Sequence, residues 1–123
     1  MTEIRITVND QIYHANLQDT PTAEKLIGAL PIEGEASVWG EEIYFEIPVS
    51  ASQESDAREE VEVGTIAYWP VGRAFCIFFG PTPVSRGEKP RAYSPVNVMG
   101  KIEGDLSGLR EVQSGAQVQI TLA

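Results

Sequence analysis

Residues 64–83 read GTIAYWPVGRAFCIFFGPTP. Two apolar, aromatic-rich runs, near 65–69 and 74–79, are bounded by Gly and Pro. Runs of that composition, punctuated in that way, read as β-strands joined by a turn. Alternate side chains of this hairpin are expected to fill a core. Its Pro-Gly ends and Tyr68 are expected to edge a site.

The same period-two pattern extends outward. In EIRITV, Ile4, Ile6 and Val8 share one face, the signature of a half-buried strand. Asn9-Asp10 marks a turn, and Tyr13, Ala15 and Leu17 alternate with His14 and Asn16 in a second strand. EEIYFEIP turns Ile43, Phe45 and Ile47 one way and Tyr44 and Glu46 the other. VNVMGKI reads as a further strand, and Val118, Ile120 and Leu122 alternate in the last. One segment changes period. DTPTAEKLIGALP carries Ala23, Leu26, Ile27 and Leu30 at helical spacing, with Thr20 as N-cap, Pro21 at the first helical position and Pro31 as terminator. The expectation is a mainly β chain of about eight strands arranged as a barrel or a sandwich. It has one clear helix over residues 21–30, a second short one near 106–111, and a single domain over residues 1–123. Residues 50–60, SASQESDAREE, have no period and read as a solvated acidic loop, with Val61 and Val63 opening the next strand.

Composition narrows the partners. Eighteen acidic residues against nine basic ones give a net charge of −9, which repels phosphate and argues against nucleic acid and anionic membranes. No apolar run reaches the roughly 20 residues needed to span a bilayer. The N-terminus lacks the basic and apolar regions of a signal peptide. The single cysteine, Cys76, cannot form an intramolecular disulfide, which fits a cytoplasmic protein.

Few residues suggest chemistry. His14 is the only histidine and lies on the polar face of its strand, where a surface role outweighs a catalytic one. One His and one Cys cannot anchor a typical zinc site, so no metal and no cofactor is expected. Cys76, inside RAFCIFFG, reads as a buried and inert thiol. Charge is distributed unevenly. Arg73, Arg86, Lys89 and Arg91 against Glu88 make residues 69–96 locally +3, and the same segment holds five of the eight prolines. Prolines stiffen loops, and arginines and aromatics on stiff loops suit binding surfaces. A well-ordered connector with solvated cations explains the same pattern.

Several segments, in order, resemble the cyclophilins. DTPTAEKLIGALP looks like their first helix, EEIYFEIP like the strand reading F-H-R-V-I-P, AFCIFFG like S-Q-F-F-I, and NVMGKIEGDLSGLREVQSG like the segment before the closing strand. The chain more closely resembles a small prokaryotic cyclophilin-like family of unknown function. That family carries phrases similar to those at Trp39–Phe45, Tyr68–Pro83 and Ser94–Gly100. This resemblance implies a closed eight-stranded barrel.

The resemblance does not carry over the isomerase chemistry. Cyclophilins use an arginine of the F-H-R-V-I-P strand, and here the matching position falls at Tyr44 or Phe45, with no basic residue between Lys25 and Arg58. The leading expectation is a non-catalytic or weakly catalytic barrel that binds a proline-containing peptide or a small molecule, as a monomer or homodimer. Its face would be formed by segments 39–47, 68–80 and 91–97, with Trp39, Tyr44, Tyr68, Arg73, Phe78, Arg91 and Tyr93 as contacts and no catalytic residue assigned. Two alternatives stay open. One is a peptidyl-prolyl isomerase with a displaced arginine, Arg73 or Arg91. The other is an unrelated small-molecule enzyme, which would show a compact pocket holding a perturbed group such as Cys76 or a glutamate.

Overall fold

A computed structural model of the chain describes residues 1–123. The chain opens with the hairpin β1 (Thr2–Val8) and β2 (Gln11–Leu17), followed by α1 (Pro21–Ala29). Three short strands follow, β3 (Ile32–Glu35), β4 (Ser37–Val38) and β5 (Glu42–Glu46). Next come β6 (Arg58–Glu60), the hairpin β7 (Thr65–Trp69) and β8 (Ala74–Phe78), and the long β9 (Arg91–Ile102). A 3-10 helix (Ser107–Glu111) leads into β10 (Gln117–Leu122).

The helix starts and stops where its sequence says. Thr20 Oγ1 accepts from Ala23 N at 3.1 Å, Pro21 occupies the first turn, and Ala23 and Leu26 are buried. The second short helix falls at residues 107–111 and is of the 3-10 type.

The strand count and the closure differ from expectation. There are ten strands, in the order β3-β10-β1-β2-β9-β7-β8-β5-β4, with β6 pairing β9 beside this path. The ladders are antiparallel. The sheet is not a closed eight-stranded barrel. Its two ends, β3 and β4, are joined through Ala36, yet no ladder pairs them. The extra strands are short ones with weak patterns. IEGE and SV are too brief to show alternation, and REE is all charge. Residues 58–60 therefore do not belong to a free loop: backbone pairing with β9 holds them extended. Val61 and Val63 lie between β6 and β7 rather than in a strand, with Val63 in the turn that opens β7.

The rest of the acidic segment is also fastened. The fully buried Asn97 of β9 accepts from Glu54 N at 2.8 Å and donates to Ser52 O at 2.9 Å and Thr22 Oγ1 at 3.0 Å. Glu54 in turn accepts from Thr22 N at 3.1 Å. This polar group satisfies its bonds by tying residues 52–54 to the start of α1, as a buried amide must.

Period two divides the side chains of β5, β7, β8 and β9 between two cores. The inner core takes Ile43, Phe45, Ile66, Tyr68, Phe75, Ile77 and Met99, packed with the β1, β2, β10 and α1 residues. A smaller cluster on the opposite face takes Val61, Ala67, Ala74, Cys76, Phe78, Ala92 and Val96, with Tyr44 and Trp69 packed against it. Burying one such aliphatic side chain contributes about 1.5–3 kcal/mol, so both faces are structurally committed. At Gly100 a Cβ would lie 2.0 Å from the Asn16 carbonyl oxygen. A residue without a side chain is what lets β9 approach β2.

Candidate functional site

The second face holds a cavity of about 190 Å³ lined by Trp39, Glu42, Tyr44, Trp69, Ala92, Tyr93 and Val96. These residues come from the three segments 39–47, 68–80 and 91–97. On β5, Glu42 and Tyr44 share the face opposite Ile43 and Phe45. On β7, Trp69 points outward where Tyr68 points in. On β9, Ala92 and Val96 form the apolar floor.

Four rings make the walls. Centroid distances are 6.4 Å for Tyr44–Trp69, 6.2 Å for Trp69–Tyr93 and 6.2 Å for Tyr93–Trp39. Interplanar angles are 83°, 79° and 72°. Near-perpendicular neighbours at this spacing attract edge to face, and the same geometry stands them as adjacent walls of a box. Trp69 is fixed further: its Nε1–H donates to Ser94 Oγ at 2.6 Å. A Cβ on Gly72 would come within 2.4 Å of the Trp69 ring, so the β7–β8 turn folds back against the indole only because residue 72 has no side chain. Tyr93 is 71% exposed and forms the rim.

Glu42 is the one charged residue in this lining. It is 5% exposed and takes part in no ion pair. Burial raises its carboxyl from 4.5 to about 7, partly offset by the neighbouring Cys76 thiol. Cys76 is itself fully buried. Burial pushes its thiol well up, and the neighbouring Glu42 adds to the effect.

The seven sequence candidates divide. Trp39, Tyr44 and Tyr93 line the cavity. Tyr68 is fully buried in the inner core, where its hydroxyl donates to Val49 O at 2.6 Å. Phe78 is fully buried among the residues beneath the pocket. Arg73 is exposed in the β7–β8 turn with φ of 50°. Arg91 forms an ion pair with Glu59. Arg73 and Arg91 both lie outside the lining. Glu42 and Trp69 join it without having been among the candidates. Continuing the alternation from Tyr44 back to Glu42, and assigning Tyr68 rather than Trp69 to the inward face, would have found both.

The basic segment meets the acidic one. Lys89 pairs with Glu62 at 3.0 Å, and Arg91 with Glu59. Thr82, Ser85 and Lys89 tie the connecting loop to itself: Thr82 N donates to Ser85 Oγ and Ser85 Oγ to Lys89 O, both at 2.9 Å. Elsewhere, His14 lies at the surface with Nδ1 3.1 Å from Glu3 Oε2. No three His, Cys, Asp or Glu side chains are grouped to hold a metal ion. No helix is long and apolar enough to cross a membrane.

Fold and pocket together define a cyclophilin-type β-protein whose apolar cavity is walled by aromatic rings. The chain belongs to the cyclophilin-like family, whose profile matches residues 2–121. It is similar to a hypothetical protein from Archaeoglobus fulgidus known from its solution structure, with 38% identity over 99% of this chain and 95% of that one, and a TM-score of 0.84. It shares its fold with McbB, solved in complex with tryptophan, at 18% identity and a TM-score of 0.68; the match covers 97% of this chain and 44% of McbB. No functionally curated protein matches the chain.

Proposed function

We propose that this protein binds a small organic molecule in the pocket between β5, β7 and β9. The observation that carries this reading is the convergence of Trp39, Tyr44, Trp69 and Tyr93 around one cavity with the single carboxyl of Glu42. Sites for small molecules are concave and mostly apolar, with a few polar groups that fix orientation. The cavity is smaller than the roughly 300–1,000 Å³ that holds a drug-sized ligand, so the occupant is a compact molecule or the end of a longer one. McbB, which shares the fold over 44% of its length, is solved in complex with tryptophan, which agrees with a small molecule as the ligand. Proline isomerisation is disfavoured, because the lining offers no arginine to donate to a twisting amide.

One observation favours a second reading, an enzyme acting on a small molecule. A pocket carboxyl titrating near 7 suits general acid–base work. Glu42 would then be its acid or base, and Glu42→Gln would keep binding and lose turnover.

The binding reading is tested by NMR on isotope-labelled protein. Both tryptophans of the chain line the pocket, so the two indole N–H resonances report on it. Choline and its uncharged carbon isostere are titrated separately. Shifts of both indole resonances with either probe are expected, with no faster cis/trans exchange of an added Ala-Pro peptide. Indole resonances unmoved by both probes at saturating concentration would overturn the reading.

A further inference from the structure

We propose that the occupant is an organic cation, its alkylammonium head held among the four rings and against the Glu42 carboxylate. This rests on the binding reading above and narrows it to one charge class.

Three observations converge. The first is the carboxyl itself. Glu42 is 5% exposed, lines the cavity and has no lysine, arginine or histidine partner. A buried carboxylate without a counter-charge is costly unless something supplies one. None of the nine lysines and arginines lines the cavity: Arg91 pairs with Glu59, Lys89 with Glu62 and Arg110 with Glu41, and Arg73 in the β7–β8 turn is exposed. A cationic ligand would supply the missing charge.

The second is the walls. Trp and Tyr are the rings with the strongest attraction for cations, and cages of such rings are a common solution for ammonium groups. Two tryptophans and two tyrosines meet here, with neighbours at 72–83°. The third is the field. A net charge of −9 raises the local concentration of cations and lowers that of anions. An anionic ligand would meet both that field and Glu42. A neutral one would gain no charge attraction from Glu42.

Choline and its carbon isostere have the same shape and differ in charge, so their affinities separate the two effects. Quenching of the tryptophan emission reads both. The expected result is binding of choline at least tenfold tighter than the isostere, with Glu42→Gln removing most of that preference. Equal affinities, or a tighter isostere, would overturn the cation and leave the small-molecule reading standing. A preference undiminished in a folded Glu42→Gln protein would overturn the part given to Glu42. Failure of both probes to bind would overturn the binding reading and this one together. Should Glu42→Gln fail to fold, the comparison of the two probes on the native protein still decides the charge class.

Discussion

The indole N–H of Trp69, at the end of β7, donates to Ser94 Oγ on β9 at 2.6 Å. This bond crosses the pocket wall and sets the angle of the ring that contacts both Tyr44 and Tyr93. The ring held in this way contacts two of the other three walls.

Ser94→Ala should release that ring. A neutral hydrogen bond of this kind is worth about 1 kcal/mol, so the fold should survive. The emission of Trp69 should shift toward the red, and affinity for pocket probes should fall severalfold. Unchanged emission and affinity would show that edge-to-face packing alone orients the indole.

Glu42 gives the stability of the protein a characteristic pH dependence. Its folded-state value of about 7 lies above the usual 4.5. Between these values the folded chain holds a proton that the unfolded chain has released. The favourable contribution is therefore full below pH 4.5 and is lost as pH rises toward 7, after which it stays flat. The difference is worth about 3 kcal/mol. Urea unfolding at pH 4.5 and pH 8 should show a larger loss for the native chain than for Glu42→Gln, and the variant should be the more stable at pH 8. Parallel profiles would contradict the burial of that carboxyl.

Cys76 should be unreactive in the folded protein. Its thiol is fully buried, and burial, with Glu42 beside it, holds it protonated; the thiolate is the reactive form. Alkylation by iodoacetamide should be undetectable in native buffer and complete in urea. Native-state labelling at the rate of a free thiol would show that the pocket floor opens.

Asn97 should prove the most sensitive polar position. Its amide joins Thr22, Ser52 and Glu54 with three bonds of 2.8–3.0 Å inside the fold. Asn97→Ala leaves those groups without partners and should cost about 3 kcal/mol. Chemical denaturation measures the loss, and limited proteolysis should cut near residues 50–56 first. A loss below about 0.5 kcal/mol, the range of neutral surface changes, would contradict its role as the anchor of that segment.

The regular part of the fold was legible in the sequence. Ile4, Ile6 and Val8, or Ile43 and Phe45, announce a buried face because a strand alternates every residue. Thr20 and Pro21 announce the helix because they solve its end problem. What was hidden depended on contacts made elsewhere. REE becomes β6 only because β9 offers it a partner, and residues 52–54 are fixed by an asparagine more than 40 positions away. The candidate site was half legible for the same reason. Tyr68 and Trp69 are adjacent aromatics, and either could face the pocket; a register set by the whole sheet sends Tyr68 inward. Arg73 and Arg91 look free in the sequence, yet Arg91 meets Glu59 from β6.

The most direct measurement is of intermolecular nuclear Overhauser effects between the methyl protons of choline and the protein. Contacts to ring protons of Trp39, Tyr44, Trp69 and Tyr93 together are expected. Contacts confined to other residues, or none at saturating choline, would contradict the assignment of this pocket as the binding site.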